Sequence, residues 1–240
     1  MRFKVLATDY DGTMAWNSVV DPATVDALQE ARHSGRQLIM VTGREVEDLK
    51  TVFPRLDLFD LVVAENGAVL YRPSDGLIKL LAGPPPAQFI EQLKAHKVTP
   101  LTVGHVIVAT MEPHEITVVK LIRDLGLELQ VIFNKGAVMV LPATVNKASG
   151  LEAALRERGL TPREAVGVGD AENDHAMLEL CGCGVAVENA LPMLKEHADF
   201  VTRQPNGRGV RELIAYLVEN DLGKICPRVR KPKPVEFVAR

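Results

Sequence analysis

The sequence predicts an α/β protein built on a doubly wound parallel sheet, and three observations carry that expectation. Short β-branched runs alternate with helical patterns along the chain, which is the signature of strands joined by helical crossovers. Polar clusters fall where those runs end, the place where open parallel sheets bind ligands. A proline-rich break then introduces a different pattern before the alternation resumes.

Val5-Leu6-Ala7 reads as a buried first strand. Residues Pro22 to Ser34 follow as a helix, with Asp21 as N-cap, Pro22 at its first position and Gly35 as its stop. Leu38 to Val41 and Leu61 to Ala64 are further strands, separated by a helix from Glu45 to Val52. At Gly83-Pro84-Pro85-Pro86 the consecutive prolines exclude a central strand or a helix interior and mark a crossing. Beyond it the pattern predicts a helix over Ala87 to His96, a strand over Val103 to Thr110 and an amphipathic segment over Pro113 to Leu125. Two apolar runs flanking Asn134-Lys135-Gly136 predict a hairpin, because Asn and Gly tolerate positive φ. The alternation returns with a helix from Lys147 to Arg158, a glycine-rich strand at 165–169, a helix from Asp174 to Leu180, strands at 184–187 and 199–202, and a helix over 209–219. The expected organisation is a discontinuous core of residues 1–82 and 144–226, a small α/β insert at 83–143, and a basic, proline-rich tail at 227–240.

Composition bounds the function. The chain has 240 residues, 47% of them hydrophobic and 25% charged, enough to bury a core. A net charge of −3 offers no broad attraction to nucleic acid or to an anionic membrane, while a small anionic ligand stays open. No run approaches the roughly 18 apolar residues of a membrane span, and the N-terminus lacks a signal-peptide pattern, so the cytoplasm is expected. Cys181, Cys183 and Cys226 form no recognisable disulfide or zinc framework and read as reduced thiols.

Asp9 and Asp11 stand just past the first strand, where residues two apart point the same way. Two carboxylates so placed repel unless one is protonated or a hard cation such as Mg²⁺ lies between them. Alone, the pair is equally an acidic loop that caps a helix. Thr42-Gly43-Arg44 ends the second strand with a hydroxyl and backbone N–H groups suited to a phosphate oxygen. Lys147 opens a helix after the insert, and Asp170, Asn173 and Asp174 end another strand.

Together, Asp9-Tyr10-Asp11-Gly12-Thr13, Thr42-Gly43-Arg44, Lys147 and Gly169-Asp170-Ala171-Glu172-Asn173-Asp174 resemble the four motifs of the haloacid dehalogenase superfamily. Glu65-Asn66-Gly67-Ala68 and the stretches Gly184 to Ala190 and Ala198 to Thr202 resemble its Cof-type branch, whose cap lies between the second and third motifs. The short insert is like the caps of archaeal-type phosphoglycolate phosphatases or sucrose-phosphate-phosphatase-like enzymes. The resemblance implies a Rossmann-like core and a Mg²⁺-dependent phosphatase acting on a small phosphorylated acid or sugar. It implies Asp9 as nucleophile, forming an aspartyl-phosphate, and Asp11 as general acid and base. It places Mg²⁺ on the side chains of Asp9 and Asp170 and the backbone carbonyl of Asp11, with Asp174 as a further ligand or as support directly behind those ligands. It gives phosphate binding to Thr42, the backbones of Tyr10 and Gly43, and Lys147, with Asn173 assisting. Arg44 is read as either a substrate contact or the partner of an acid, His105 as a solvent-facing strand residue, and His175 as no ligand. A phosphotransferase or mutase shares the same intermediate, and a non-catalytic phosphate-binding relative is the other alternative. The expected partner is a small phosphate ester, with the protein a monomer or homodimer.

Overall fold

The computed structural model describes residues 1–223 and 225–226; the tail expected at 227–240 lies outside the described residues. Its main sheet has eight strands in the order β12-β11-β10-β1-β2-β3-β4-β5. The strands are β1 (Val5–Thr8), β2 (Gln37–Val41), β3 (Leu61–Ala64), β4 (Val69–Arg72), β5 (Leu77–Leu80), β10 (Ala165–Gly169), β11 (Cys183–Ala186) and β12 (Phe200–Val201). From β12 to β3 all pairings are parallel, while β3–β4 and β4–β5 are antiparallel. Every residue of β1, β3, β10 and β11 is buried, as strands covered on both faces must be. Helices α1 (Pro22–His33) and α8 (Asn206–Asn220) pack together, and α5 (Lys147–Glu157) packs against α6 (His175–Leu180) and reaches β2, β3 and β4. Of the shorter helices, α2 (Val46–Val52) follows β2, and α7 (Pro192–His197) packs on α6 and β11.

Local signals explain these boundaries. Asp21 caps α1 by accepting the Thr24 N–H at 3.1 Å, Pro22 opens it, and Gly35 leaves it at φ +88°. Asn146 caps α5 through the Ser149 N–H at 2.9 Å, which fixes Lys147 at the first helical position.

A second, antiparallel sheet runs β6-β7-β9-β8, from β6 (Thr102–Val103), β7 (Val108–Met111), β8 (Leu129–Asn134) and β9 (Ala137–Pro142). Helices α3 (Ala87–Ala95) and α4 (Glu115–Asp124) lie on one of its faces. The period of two along β9 divides the labour. Val138 and Val140 join Phe89, Leu93, Val118 and Leu121 in a separate apolar cluster, while Ala137, Met139 and Leu141 face the main core.

Four differences from the sequence reading stand out. The strand expected over Val103 to Thr110 is a hairpin, β6 and β7, with His105 in the turn between them. In the β8–β9 turn, Lys135 (φ +48°) and Gly136 (φ +84°) take the left-handed conformation while Asn134 stays in the strand, as a two-residue turn requires. The hairpin β4–β5 and helix α7 went unforeseen. Cys183 and Cys226 are bonded to each other, because the segment after α8 returns beside β11 and brings their Cα atoms to 6.0 Å; Cys181 is free and buried.

Candidate active site

The site lies at the carboxyl ends of β1, β2 and β10, where the chain leaves β1 for β2 on one side and later returns to β10 on the other. Asp9 prolongs β1 by one rung, its N–H donating to the Val168 carbonyl at 3.0 Å, and it is 4% exposed. Lys147, 1% exposed, projects from the start of α5 and donates to Asp9 Oδ1 and Asp174 Oδ1, each at 2.6 Å. The other Asp174 oxygen accepts the Asp170 and Ala171 N–H groups at 2.9 and 3.0 Å, closing the turn after β10. Thr13 donates to Asp170 Oδ1 at 2.9 Å and holds that carboxylate.

Carboxylate oxygens of Asp9, Asp170 and Asp174 lie within 4.8 Å of one another, all buried. Burial pushes the Asp9 carboxyl up to about 8; Lys147 opposes this, and Asp174 and Asp170 reinforce it. Burial also raises Asp170, against the hydrogen bond from Lys135. Burial alone would lower Lys147, yet Asp174 and Asp9 together hold its ammonium above the ordinary lysine range. Three carboxyl groups with mainly lysine beside them form a donor set of hard oxygens without sulfur or imidazole, which suits a small divalent cation such as Mg²⁺. Gly12 makes room for this group: it sits at φ +83°, and a Cβ there would lie 2.4 Å from Asp170 Oδ2.

The Asp11 side chain stands apart from the trio. Arg44 grips it with two parallel hydrogen bonds, Nε to Oδ2 at 2.6 Å and Nη2 to Oδ1 at 2.8 Å. The same guanidinium donates to Asp48 Oδ2 and Ser18 Oγ, each at 2.6 Å, so Arg44 is the partner of acids rather than a free cation. Thr42 is buried, its oxygen accepting the Arg44 N–H at 3.2 Å, and Gly43 lies open to the cleft. The Tyr10 side chain is directed away, with its hydroxyl donating to the Ser18 carbonyl at 2.9 Å and its ring against Phe53, which leaves its backbone at the site. Asn173 donates to Asn66 Oδ1 at 2.9 Å. His175 stacks edge-on against His197 and belongs to no acidic group at the site.

Above Asp9 and Asp11 opens a cleft of about 560 Å³, with Gly43, Arg44, Glu45 and Asp48 on the lower side and Thr102, Ile107, Ala109, Asn134, Ala137 and Met139 of the second sheet above. Two residues that sequence reasoning gave no role position this roof. Glu65, 0% exposed, accepts the backbone N–H groups of His105, Val106 and Ile107 at 2.9, 2.7 and 2.8 Å. It does so from a run of three left-handed residues, Glu65 (φ +49°), Asn66 (φ +55°) and Gly67 (φ +108°). Lys135, on the β8–β9 turn, reaches down to Asp170 Oδ2 at 2.5 Å. A cation at a turn tip was the only local signal for Lys135; its acid is reached only through the tertiary fold. His105 is half exposed, as expected, with Nδ1 3.2 Å from Glu65 Oε1.

Comparison with known proteins places this geometry in context. A profile of haloacid dehalogenase-like hydrolases matches residues 6–113 and 90–214. The phosphoglycolate phosphatase of Methanothermobacter thermautotrophicus is 30% identical over 220 residues, covering 88% of this chain and 97% of that protein. Among solved structures, a haloacid dehalogenase-like hydrolase from Bacteroides thetaiotaomicron superposes with TM-score 0.76 at 19% identity, covering 90% of this chain and 99% of that one. A HAD subclass IIB sugar phosphatase gives TM-score 0.72 at 19% identity, covering 89% and 98%. At these identities the superpositions speak for the fold alone. Among the described residues, no helix is long and apolar enough to cross a membrane.

Proposed function

We propose a function from the premise that this chain belongs to the haloacid dehalogenase-like hydrolase family: it is a phosphoric monoester hydrolase, and it acts with Mg²⁺ on a small phosphorylated metabolite through a phosphorylated Asp9. The observation that carries this reading is the buried group at the end of β1, with Asp9 and Asp174 on the Lys147 ammonium and Asp170 beside them. Phosphoryl transfer asks mainly for in-line placement and for neutralisation of oxygen charge, and a buried lysine beside a carboxylate cluster supports the second.

Asp9, Asp170 and Asp174, with the Asp11 carbonyl, would hold Mg²⁺, which when bound neutralises carboxylate and phosphoryl charge. An Asp9 oxygen attacks phosphorus while the bond to the ester oxygen breaks, and Asp11 gives its proton to the departing alkoxide. Asp11 then takes a proton from water as that water attacks the same phosphorus, releasing phosphate and restoring Asp9. Arg44 orients Asp11, and one of its two hydrogen bonds must open whenever that carboxyl carries the proton. Thr42, the Gly43 and Tyr10 backbones and Lys147 bind phosphoryl oxygens, with Asn173 supporting the edge of the site. We read the second sheet with α3 and α4, residues 83–143, as a cap on a core of 1–82 and 144–226.

Relatives named phosphoglycolate phosphatase support a phosphorylated acid as substrate, and a sugar phosphate is the second class to be tested. Purified protein with Mg²⁺, assayed on p-nitrophenyl phosphate and a panel of both classes, is expected to release phosphate and to lose that activity in EDTA. Absence of turnover with every ester and divalent metal tried would overturn the reading.

A further inference from the structure

The cleft roof discriminates between the two substrate classes, an argument that rests on the phosphatase reading. Of the roof residues, Ile107, Ala109, Ala137 and Met139 carry side chains of carbon and sulfur, and Thr102 and Asn134 are its two polar members. A sugar pressed against the four apolar side chains would give up hydration of several hydroxyls, more than Thr102 and Asn134 could replace.

Charge supplies the positive half of the argument. Three cations reach the cleft region, and two are committed. Lys147 is enclosed between Asp9 and Asp174 at the phosphoryl pole. Arg44 spends its donors on Asp11, Asp48 and Ser18. Lys135 differs: its side chain is 49% exposed, its one acidic partner is Asp170, and an ammonium has three donors. The left-handed pair Lys135-Gly136 fixes the tip of the hairpin above β1. The ammonium is so close to the Asp9–Asp11 segment that a Cβ on Gly12 would lie 2.5 Å from Nζ.

We infer that Lys135 is a specificity-determining residue that receives the carboxylate of a short phosphorylated carboxylic acid, whose phosphoryl group lies at Asp9. The distances set the length of that acid. Asp9 and Asp170 oxygens are within 4.8 Å of each other and Lys135 Nζ is 2.5 Å from Asp170, so a spacer of one or two carbons spans from phosphoryl to ammonium. A longer acid would carry its carboxylate past the turn.

The test compares 2-phosphoglycolate with 2-hydroxyethyl phosphate, which replaces the carboxylate by an uncharged alcohol, in the wild type, Lys135→Met and Lys135→Arg. The wild type is expected to prefer the acid in kcat/KM. Lys135→Met is expected to lose about tenfold to a hundredfold more on the acid than on the alcohol, with the loss mainly in KM, and Lys135→Arg to recover part of it. Equal losses on both esters, or a wild type that favours the alcohol or sugar phosphates, would overturn the inference while leaving the phosphatase reading standing. A wild type that hydrolyses no ester at all would instead remove that reading. Matching thermal melts of the three proteins are the expected control, and a large drop in Lys135→Met not shared by Lys135→Arg would assign Lys135 to stability instead of selection.

Discussion

The floor and the roof of the cleft are built on opposite principles. The floor gathers charge out of water: Asp9, Asp170, Asp174 and Lys147 are nearly inaccessible, and most of their oxygens and protons are spoken for. The roof meets it with Ile107, Ala109, Ala137 and Met139, and places its one reaching cation on an exposed turn. A buried charge network tolerates little change, because removing one member strands another in a medium of low polarity. An apolar surface of about the right volume tolerates much more. On the proposed function, chemistry and selection fall to separate layers, and these should respond differently to substitution.

The largest expected effect falls on the floor. Asp9→Asn keeps shape and removes the attacking oxygen, so kcat should drop by about a thousandfold or more; phosphate release measured in the variant at a tenth of the wild-type rate would take the nucleophile role from Asp9. Next comes Lys147→Met, which leaves Asp9 and Asp174 without their shared counter-charge. In EDTA it should cost about 3–5 kcal/mol of stability by urea unfolding, and an unchanged midpoint would show that the floor is not a coupled network.

The third expectation concerns pH. Asp9 titrates higher in the folded chain, at about 8, than its ordinary value of 3.8, so the folded state binds the extra proton between those limits. Stability of the metal-free protein should then be greatest near pH 4 on this account and fall by a few kcal/mol as pH rises towards 8, flattening above it. Asp9→Asn should lack that slope, and a melt series across pH 4–8 in EDTA decides the matter.

Effects on the roof are expected to be smaller. Glu65→Gln keeps an acceptor but loses its charge towards three N–H groups, costing about 1–2 kcal/mol in thermal unfolding and raising KM more than it lowers kcat. Met139→Leu, a swap of similar volume, should change kcat/KM by less than about threefold and stability by less than about 1.5 kcal/mol. Should Met139→Leu prove as damaging as Lys147→Met, the contrast between the layers collapses.

Much of the floor was legible because its parts are local. Asp21-Pro22 and Gly35 bound α1, and each acid or lysine of the site follows a strand or opens a helix, so strand order alone gathers them. The roof was less so. A strand pattern over Val103 to Thr110 breaks into a hairpin because a glutamate some forty positions earlier captures its backbone, an event with no trace in local periodicity. The β4–β5 hairpin hid behind Pro73-Ser74-Asp75-Gly76, a turn signal between apolar runs that passes for a loop. The Cys183–Cys226 pair joins residues 43 apart, a matter of chain return and not of spacing.

Glu65 holds the roof by atoms that every amino acid except proline possesses. Since the docking contact is written mainly in main-chain N–H groups, with the His105 ring adding one contact at 3.2 Å, the side chains at 106 and 107 are not themselves part of the latch. A lineage, or an engineer, can therefore rewrite Ile107 at the cleft without unfastening the two layers, and acquire a new substrate preference while the hinge between selection and chemistry stays inherited.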